Sequence, residues 1–361
     1  MFLLLLLRAL ASFVPQFDTA ANDVLVRWDV LHFSAIADNG YLYEHQWAFL
    51  PALPAILRTG LIPTAAIVSI ISLDSIRTLY GLSAKILKNE DVARIATVLA
   101  LLPSSPVTLF LVPYNEPFYT YLSYRGMYYC AQSQWLKASI AFALASCFRS
   151  NGVFLAGFII WGILINPEKP ASVSSLVRAT ALTALVFAPF VYHNHTGYAS
   201  FCIDNPHSPP EWCSRFIPSI YTHVQEKYWD NGLFKYWTLQ QLPNILLGVP
   251  PLALIYSFGF WHLNAAYHRL PSPFASVSLT PHVLHAIFMA SVLLLASNTQ
   301  IILRLAASMP VLYWAAAWLW THSTDDGKTF KFRSWGKAWI YWSAIWGSVS
   351  IVLWVAFLPP A

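Results

Sequence analysis

Residues 27–54, RWDVLHFSAIADNGYLYEHQWAFLPALP, place carboxylate, imidazole and guanidinium groups between two strongly apolar runs. A carboxylate can accept the proton of a hydroxyl nucleophile, and cations can hold a phosphate leaving group. Beside hydrocarbon, such groups suit a reaction on a lipid-linked phosphate, which would reach the site from the side. The candidate site residues of this segment are Arg27, Asp29, His32, Glu44 and His45.

Four other short polar segments interrupt the apolar sequence and supply further candidates. They read PYNEP at 113–117, FRSNG at 148–152, QEKYWDNG at 225–232 and SNTQIILR at 297–304. Their arginines could bind a phosphate, and their amides and aromatic rings could contact a sugar. The candidates are Asn115, Glu116, Arg149, Asn151, Gln225, Trp229, Asn231, Gln300 and Arg304.

Each candidate also has a purely structural interpretation. Asp29 could pair with Arg27 or cap a helix, and Glu116 could cap the turn before the next helix. Arg149 and Arg304 lie at predicted span ends, where an arginine often extends to the interface. Tryptophan and tyrosine are enriched at membrane interfaces without any binding role.

Glu44 and His45 have two interpretations as well. They could bind hydroxyl groups of an acceptor, and Glu44 could be an alternative general base. The structural alternative is a hydrogen bond that folds the loop.

The composition predicts an all-α polytopic membrane protein. Hydrophobic residues make up 57% of the 361 residues and charged residues 10%, whereas a soluble domain carries about 25% charge. The net charge of +5 is modest, and no basic groove with interleaved aromatic residues argues for a nucleic-acid partner. Stretches apolar enough for spanning helices predict about eleven spans, at 2–17, 61–82, 92–112, 117–130, 133–148, 153–165, 174–192, 241–260, 281–296, 301–320 and 337–358. The first of these is expected to be an uncleaved helix rather than a signal peptide, because no basic residue precedes it.

Loop charges orient these spans. Lysine and arginine are more numerous in one alternate set of loops, which predicts that this set is cytosolic. The long polar segments 18–60 and 193–240 and the three short ones then share the opposite face. The set predicted to be cytosolic includes Lys85, Lys88, Arg94, Arg125 and Lys137.

Two features of the segment 193–240 bear on its compartment. Cys202 and Cys213 would form a disulfide in an oxidising lumen or remain two free thiols elsewhere. Asn194 begins an N-x-T sequon, a weak glycosylation candidate close to a span end.

Motifs for other chemistries are missing from the sequence. It has no Walker A loop, no GxGxxG, no HExxH and no GxSxG. His193 and His195, two residues apart, are too few to argue a metal site, so we predict no metal. No repeat of fixed period divides the chain, and we treat 1–361 as one transmembrane domain.

Several segments together resemble the PIG-V family, the second mannosyltransferase of glycosylphosphatidylinositol (GPI) assembly. These are the segment 27–54, NEPFYTYLSYRG at 115–126, FRSNG at 148–152, YTHVQEKYWDNGLFKYWTLQQLPNILLGVP at 221–250 and SNTQIILRLAASMPVLYW at 297–314. They follow the family's order over nearly the whole chain.

The resemblance implies a GT-C class glycosyltransferase of the endoplasmic reticulum membrane with its active site in the lumen. Its donor would be dolichyl-phosphate-mannose and its acceptor a mannosylated GPI precursor, joined through an inverting α-1,6 transfer without a cofactor. A single-pass accessory subunit is also implied. GT-C enzymes commonly place an essential acidic residue early in the first luminal loop, and that position corresponds to Asp29 of RWD.

Three alternatives remain at this stage. One is another dolichyl-phosphate-sugar transferase of the same class. The second is a lipid or sugar transporter or a scramblase, which would place ionisable groups near the bilayer midplane and usually shows inverted repeats. The third is a non-catalytic membrane scaffold.

Overall fold

A computed structural model describes residues 2–18, 23–165, 172–204, 209–321 and 329–359. Its described residues form helices joined by short turns, with no strand among them. Residues 19–22 and 205–208, parts of the two long polar segments, lie outside the described ranges. The α-helices are α1 (Phe2–Ala11), α2 (Asp29–Asn39), α3 (Ala52–Leu57), α4 (Leu61–Leu87), α5 (Glu90–Leu99), α6 (Pro106–Phe110), α7 (Asn115–Ala131), α8 (Trp135–Ser146), α9 (Ala156–Ile160), α10 (Val173–Tyr198), α11 (Ile220–Tyr228), α12 (Leu242–Tyr267), α13 (Thr280–Leu295), α14 (Ile302–Leu305), α15 (Pro310–Thr321) and α16 (Thr329–Val355).

The predicted all-α membrane architecture is confirmed, but the predicted number of eleven spans is not. By length and hydropathy, five helical segments in the described ranges could each cross a membrane, or six if one bent pair counts as a span. Other apolar helices, including α1 and α8, are shorter. The segments that qualify are Leu61–Leu87, Val173–Ile203, Leu239–Tyr267, Val277–Leu295 and Ser334–Val355, with Thr299–Ser308 and Pro310–Thr321 as the bent pair.

Prolines account for the broken helices. The predicted span 92–112 divides, because α5 ends at Leu99 and α6 begins only at Pro106. The bent pair turns by 85° just before Pro310, where the ring of a proline cannot continue the preceding helix. The second break sets the segment Thr299–Ser308 nearly at right angles to α15.

The main core lies between the long helices. It joins buried side chains of α4, α5, α7, α8, α12, α13 and α15. Trp314 of α15 is fully buried there, and its indole N–H donates to Ser83 Oγ of α4 at 2.7 Å. Because indole is large and its polar atom is satisfied, this contact fixes two spans against each other at little polar cost.

The polar segments meet at one end of the bundle, as their predicted common face requires. Trp47 of the first long segment packs with Trp212, Ile220 and Val224 of the second. Phe49 packs in the same region with Trp229 at its edge. We call this end of the molecule the polar end.

One loop charge was assigned wrongly from the sequence. Arg125, counted with the loop cations, lies inside helix α7 and pairs with Asp74 of α4. The error arises because a single arginine in an aromatic stretch resembles the end of a span, and only the partner helix shows that it is satisfied internally.

Gly126 offers a test of the packing of α7 against α8. A Cβ at this position would lie 2.1 Å from the ring of Phe142, which is fully buried. We expect Gly126→Ala to destabilise the protein by about 1–3 kcal/mol through overpacking, measured as a lower thermal unfolding temperature in detergent. Gly157→Ala is the control, because its Cβ would meet no atom within 4 Å. Equal unfolding temperatures for the two variants would contradict this packing.

Candidate active site

Asp29 begins α2 at the polar end. The preceding Trp28 has a left-handed φ of 52°, which a non-glycine residue adopts only when its surroundings hold it. Its ring stacks on Phe357 at 5.4 Å, and the Asp29 backbone N–H donates to Tyr114 Oη at 3.2 Å. These contacts direct the Asp29 carboxylate, 38% exposed, into a cavity.

A chain of alternating charges runs from Asp29 into the protein. Arg304 Nη1 donates to Asp29 Oδ2 at 3.1 Å, and Arg304 Nε lies 3.7 Å from Glu116 Oε1. Arg149 Nη1 donates to the same Glu116 oxygen at 2.7 Å. Since Glu116 is 3% exposed and Arg304 13% exposed, these charges are held mostly away from water. We call Asp29, Arg304, Glu116 and Arg149 the charge chain.

Tyr114 packs against the charge chain and contacts two of its residues. Its ring is buried, and the Arg304 guanidinium lies over it at 5.5 Å from the ring centre. Burial, reinforced by the carboxylate of Asp29, raises the pKa of Tyr114 well above its ordinary value. The phenol therefore stays neutral and can hold the start of α2 by accepting its backbone hydrogen bond.

The cavity beside the charge chain has a volume of about 630 Å³, within the range of small-molecule sites. Its wall is half polar, with apolar side chains from α2, α13 and the turn before α9. It lies at the polar end. The predicted site residues on its wall are Asp29, Asn115, Arg149, Asn151, Gln225, Trp229, Asn231, Gln300 and Arg304.

Amide side chains supply polar contacts around this cavity. Asn151 links Arg149 to the hydroxyl of Tyr119, with distances of 3.3 and 3.0 Å. The Oδ1 atoms of Asn115 and Asn231 are buried and have no hydrogen-bond partner among the described residues. Because an unsatisfied buried carbonyl costs free energy, these two oxygens are acceptors suited to ligand hydroxyl groups.

Glu116 lies behind the cavity wall, and Glu44 lies at a distance from it. Glu44 accepts from Lys227 Nζ at 2.8 Å, Trp212 Nε1 at 2.9 Å and Tyr228 Oη at 3.0 Å. Burial acts to raise the pKa of Glu44, but these hydrogen bonds outweigh it and lower the pKa below its ordinary value. Glu44 thus connects the first long polar segment to the second.

The two histidines of the first segment lie beside the cavity. His32 stacks on Phe49, a cavity residue, at 4.8 Å, and His45 lies 6.0 Å from His32. His45 also packs between Tyr43 and Tyr228. Neither imidazole is on the cavity wall.

Arg27 lies apart from the cavity and stabilises the backbone just before it. It is fully buried, and its Nη1 donates to the carbonyls of Asp23 at 2.6 Å and Val26 at 2.9 Å. Its guanidinium also lies 4.9 Å from the ring centre of Phe357. Asp29 therefore pairs with the distant Arg304, and its sequence neighbour Arg27 has other partners.

The second long segment contains the cysteine pair and the sequon. A disulfide joins Cys202 to Cys213. Asn194 lies inside α10, where its Nδ2 donates to Phe190 O and its Oδ1 accepts from Ser219 Oγ at 2.8 Å. In this arrangement the Asn194 amide anchors the start of α11, and its glycosylation stays a prediction.

Sequence reasoning missed two tyrosines at this site. Tyr114 lies inside the quoted segment PYNEP, but a tyrosine at a span end is usually an interface residue. Tyr221 lines the cavity and accepts from Ser150 Oγ at 2.6 Å. Only the folded chain shows that both hydroxyls point inward.

Comparison with known proteins gives consistent matches along the chain. Residues 3–361 match the family described as Mannosyltransferase (PIG-V). A GPI mannosyltransferase 2 of Cryptococcus neoformans var. neoformans serotype D is 32% identical over 409 residues, covering 99% of this chain and 95% of that protein. A GPI alpha-1,6-mannosyltransferase 2 of Rattus norvegicus is 28% identical over 374 residues, covering 85% of this chain and 75% of that protein.

One solved structure shares a weaker likeness. The oligosaccharyltransferase of Archaeoglobus fulgidus, in its apo form, has a TM-score of 0.48 and 13% identity to this chain. The match covers 100% of this chain and 56% of that one. This likeness is too low to bear on the chemistry of the site.

Glu44 gives a pH-dependent test of how the two polar segments are joined. We expect Glu44→Gln to lower the free energy of unfolding by about 2 kcal/mol at neutral pH, because several hydrogen bonds to a charged acceptor are lost. Since the folded state lowers the pKa of Glu44, this contribution is complete above its ordinary pKa of 4.5 and is lost as pH falls through the folded-state value.

Denaturant unfolding of wild type and variant across this pH range measures the effect. Glu90→Gln is the control, because the Glu90 side chain is 69% exposed in its pair with Arg94. A difference between wild type and Glu44→Gln that persists unchanged in acid would exclude the ionised carboxylate as its cause.

Proposed function

The chain belongs to the Mannosyltransferase (PIG-V) family, and we propose that it transfers the second mannose of the GPI core from dolichyl-phosphate-mannose through an α-1,6 bond. The observation that carries the proposal is the charge chain. It brings a carboxylate and two guanidinium groups, from segments far apart in sequence, to one cavity at the polar end of a membrane bundle. This combination of groups suits a sugar linked to a lipid phosphate.

The proposed reaction uses Asp29 as general base. Among the described contacts, Arg304 binds only Oδ2 of Asp29, which leaves Oδ1 free to take a proton. Asp29 accepts the proton of the 6-hydroxyl on the first mannose of the acceptor, and that oxygen bonds to C1 of the donor mannose. The C1–O bond to phosphate breaks as the new bond forms, so the β-linked donor gives an α-linked product without a covalent intermediate.

The arginines serve the leaving group. As the C1–O bond breaks, negative charge grows on dolichyl phosphate, and Arg149 and Arg304 are the cations on the cavity wall. Glu116 touches both guanidinium groups and does not line the cavity, so it is a positioning residue. The remaining amides and Trp229 are proposed contacts for sugar hydroxyls and sugar faces.

The compartment and the accessory subunit are parts of the same proposal. The disulfide between Cys202 and Cys213 supports a polar end that faces the lumen of the endoplasmic reticulum, because such a bond persists in an oxidising compartment. The donor sugar is already activated by its phosphate, so we propose that no cofactor is needed. We also propose a single-pass accessory subunit, in line with the resemblance to the PIG-V family.

Complementation tests the assigned step. In cells that lack the second mannosyl transfer, a one-mannose GPI precursor should accumulate, and expression of this chain should convert it and restore GPI-anchored proteins at the surface. Precursor analysis by mass spectrometry is the measurement. If the chain instead rescued cells that accumulate a two-mannose precursor, it would be assigned to a different transfer.

Asp29→Asn tests the proposed base. We expect the turnover rate to fall by about 10²–10⁴-fold, the usual range for loss of general-base assistance, while the KM for the donor changes little. Transfer from radiolabelled donor in membranes measures both. Asp38→Asn is the control, because Asp38 is exposed on the same helix. Near-normal turnover by Asp29→Asn would remove this residue from the role.

Glu116→Gln tests the positioning of the arginines. The amide keeps the shape but loses the charge shared by Arg149 and Arg304, so both cations become misplaced. We expect kcat/KM for the donor, measured on the folded enzyme, to fall by up to about 10²-fold, and the unfolding temperature to fall as well because two guanidinium groups lose a buried partner. Glu211→Gln, at an exposed position of the same polar end, is the control. An unchanged kcat/KM would show that the arginines do not depend on Glu116.

A further inference from the structure

Ionised side chains lie on the outer face of α4, far from the charge chain. Helix α4 has 27 residues and is among the segments able to span a membrane, so it is about 40 Å long. Asp74 lies at its midpoint, on the same face as Ile67 and Ile70, which are 37% and 66% exposed. Ionisable residues in the interior of a span are costly and usually functional.

Asp74 has a partner within the fold but remains partly exposed. It accepts a hydrogen bond from Arg125 of α7, whose guanidinium also lies 5.6 Å from the ring centre of Tyr121. The two side chains nevertheless remain 27% and 31% exposed. In lipid, this exposed fraction of the ion pair would face hydrocarbon.

Arg77, one turn further along α4, has no polar partner among the described residues. Its side chain is exposed and has no hydrogen bond or ion pair among the described residues. It lies roughly 5 Å from the helix midpoint, so in a bilayer centred on that midpoint about 10 Å of a hydrocarbon half-layer separates it from the nearer interface. An arginine side chain covers such a distance only in part. Lys85, two turns beyond, lies near the helix end and needs no such explanation.

We propose that this face of α4 binds a transmembrane helix of a partner protein that carries a carboxylate at mid-bilayer depth. The surface has one neutral ion pair and one extra positive charge, so a single carboxylate would neutralise its net charge. Lipid phosphates lie at the interface rather than at this depth. A two-fold contact with a second copy brings a further Arg77 to the surface and leaves the total charge positive. Leu73, 74% exposed on the adjoining side, would lie at the edge of the contact.

A defined probe helix tests this interaction without any measure of transferase activity. The full chain, with a photoreactive benzophenone residue at Leu73, is reconstituted in neutral lipid vesicles. A labelled host peptide of about 20 leucine and alanine residues is added with a central Asp, Leu or Lys. A second preparation carries the photoreactive residue at Ile345, a position of α16 that is 65% exposed. Crosslink yield after illumination is the measurement.

We expect the Asp peptide to crosslink at position 73 with a yield roughly tenfold above the Leu peptide, in line with polar contacts between membrane helices. Arg77→Gln should reduce the yield to the Leu level, whereas Lys85→Gln should leave it unchanged. Arg77→Gln removes a charge without a partner, so the variant should fold and unfold at no lower temperature than wild type. At position 345 the three peptides should give equal yields.

Other outcomes would overturn the proposal. Equal yields for the Asp, Leu and Lys peptides at position 73, or a yield unaffected by Arg77→Gln, would show that no carboxylate is recognised. Loss of the Asp-peptide signal on adding anionic lipid would assign the surface to a lipid headgroup. A crosslink between two copies of the chain that excludes the peptide would assign it to self-association.

Discussion

The charge chain is the constraint on which the arrangement of the polar end depends. The Glu116 carboxylate and the guanidinium groups of Arg149 and Arg304 are held mostly away from water, and each is tolerable only while its partner is in place. The Asp29 carboxylate, more exposed, completes the chain through Arg304. The members come from α2, α7, α14 and the turn before α9, so their pairing fixes four segments relative to one another. The same pairing leaves one oxygen of Asp29 and parts of both arginines directed to the cavity. Stability and the proposed chemistry therefore depend on the same contacts.

The broken helices determine which side chains reach the polar end. A continuous helix through residues 299–321 would carry Arg304 along the bundle axis, whereas the 85° bend at Pro310 lays α14 across the polar end. Tyr114, directly before α7, lies at the start of α2, where its hydroxyl accepts a hydrogen bond from the Asp29 backbone N–H. Above the cavity, the second long segment is secured by Glu44, by the indole of Trp212 and by the disulfide. The cavity thus has a floor of span ends and a cover made from two distant loops.

Charge is distributed very differently along the rest of the bundle. The transporter alternative requires ionisable groups near the midplane that line an internal passage. Asp74 and Arg77 lie near the middle of α4 and Arg125 inside α7, but all three side chains are partly or fully exposed and none lines the cavity. Such a position suits contact with another helix better than passage of a solute through the bundle. We therefore propose different neighbours for the two charged regions, a phosphate at the polar end and a protein helix at α4.

The sequence by itself determined the membrane class, the helical content, the common face of the polar segments and the three charged residues of the cavity wall. It could do so because hydrocarbon excludes polar groups, which makes every polar interruption of an apolar chain informative. It could not determine the number of spans, since proline breaks and short helices depend on what packs around them. It also could not separate the partners of Arg27 from those of Arg304, or place Glu44 in a contact between loops. Those assignments rest on side chains hundreds of residues apart, such as Asp29 and Arg304, and only tertiary packing decides which distant charge each one meets.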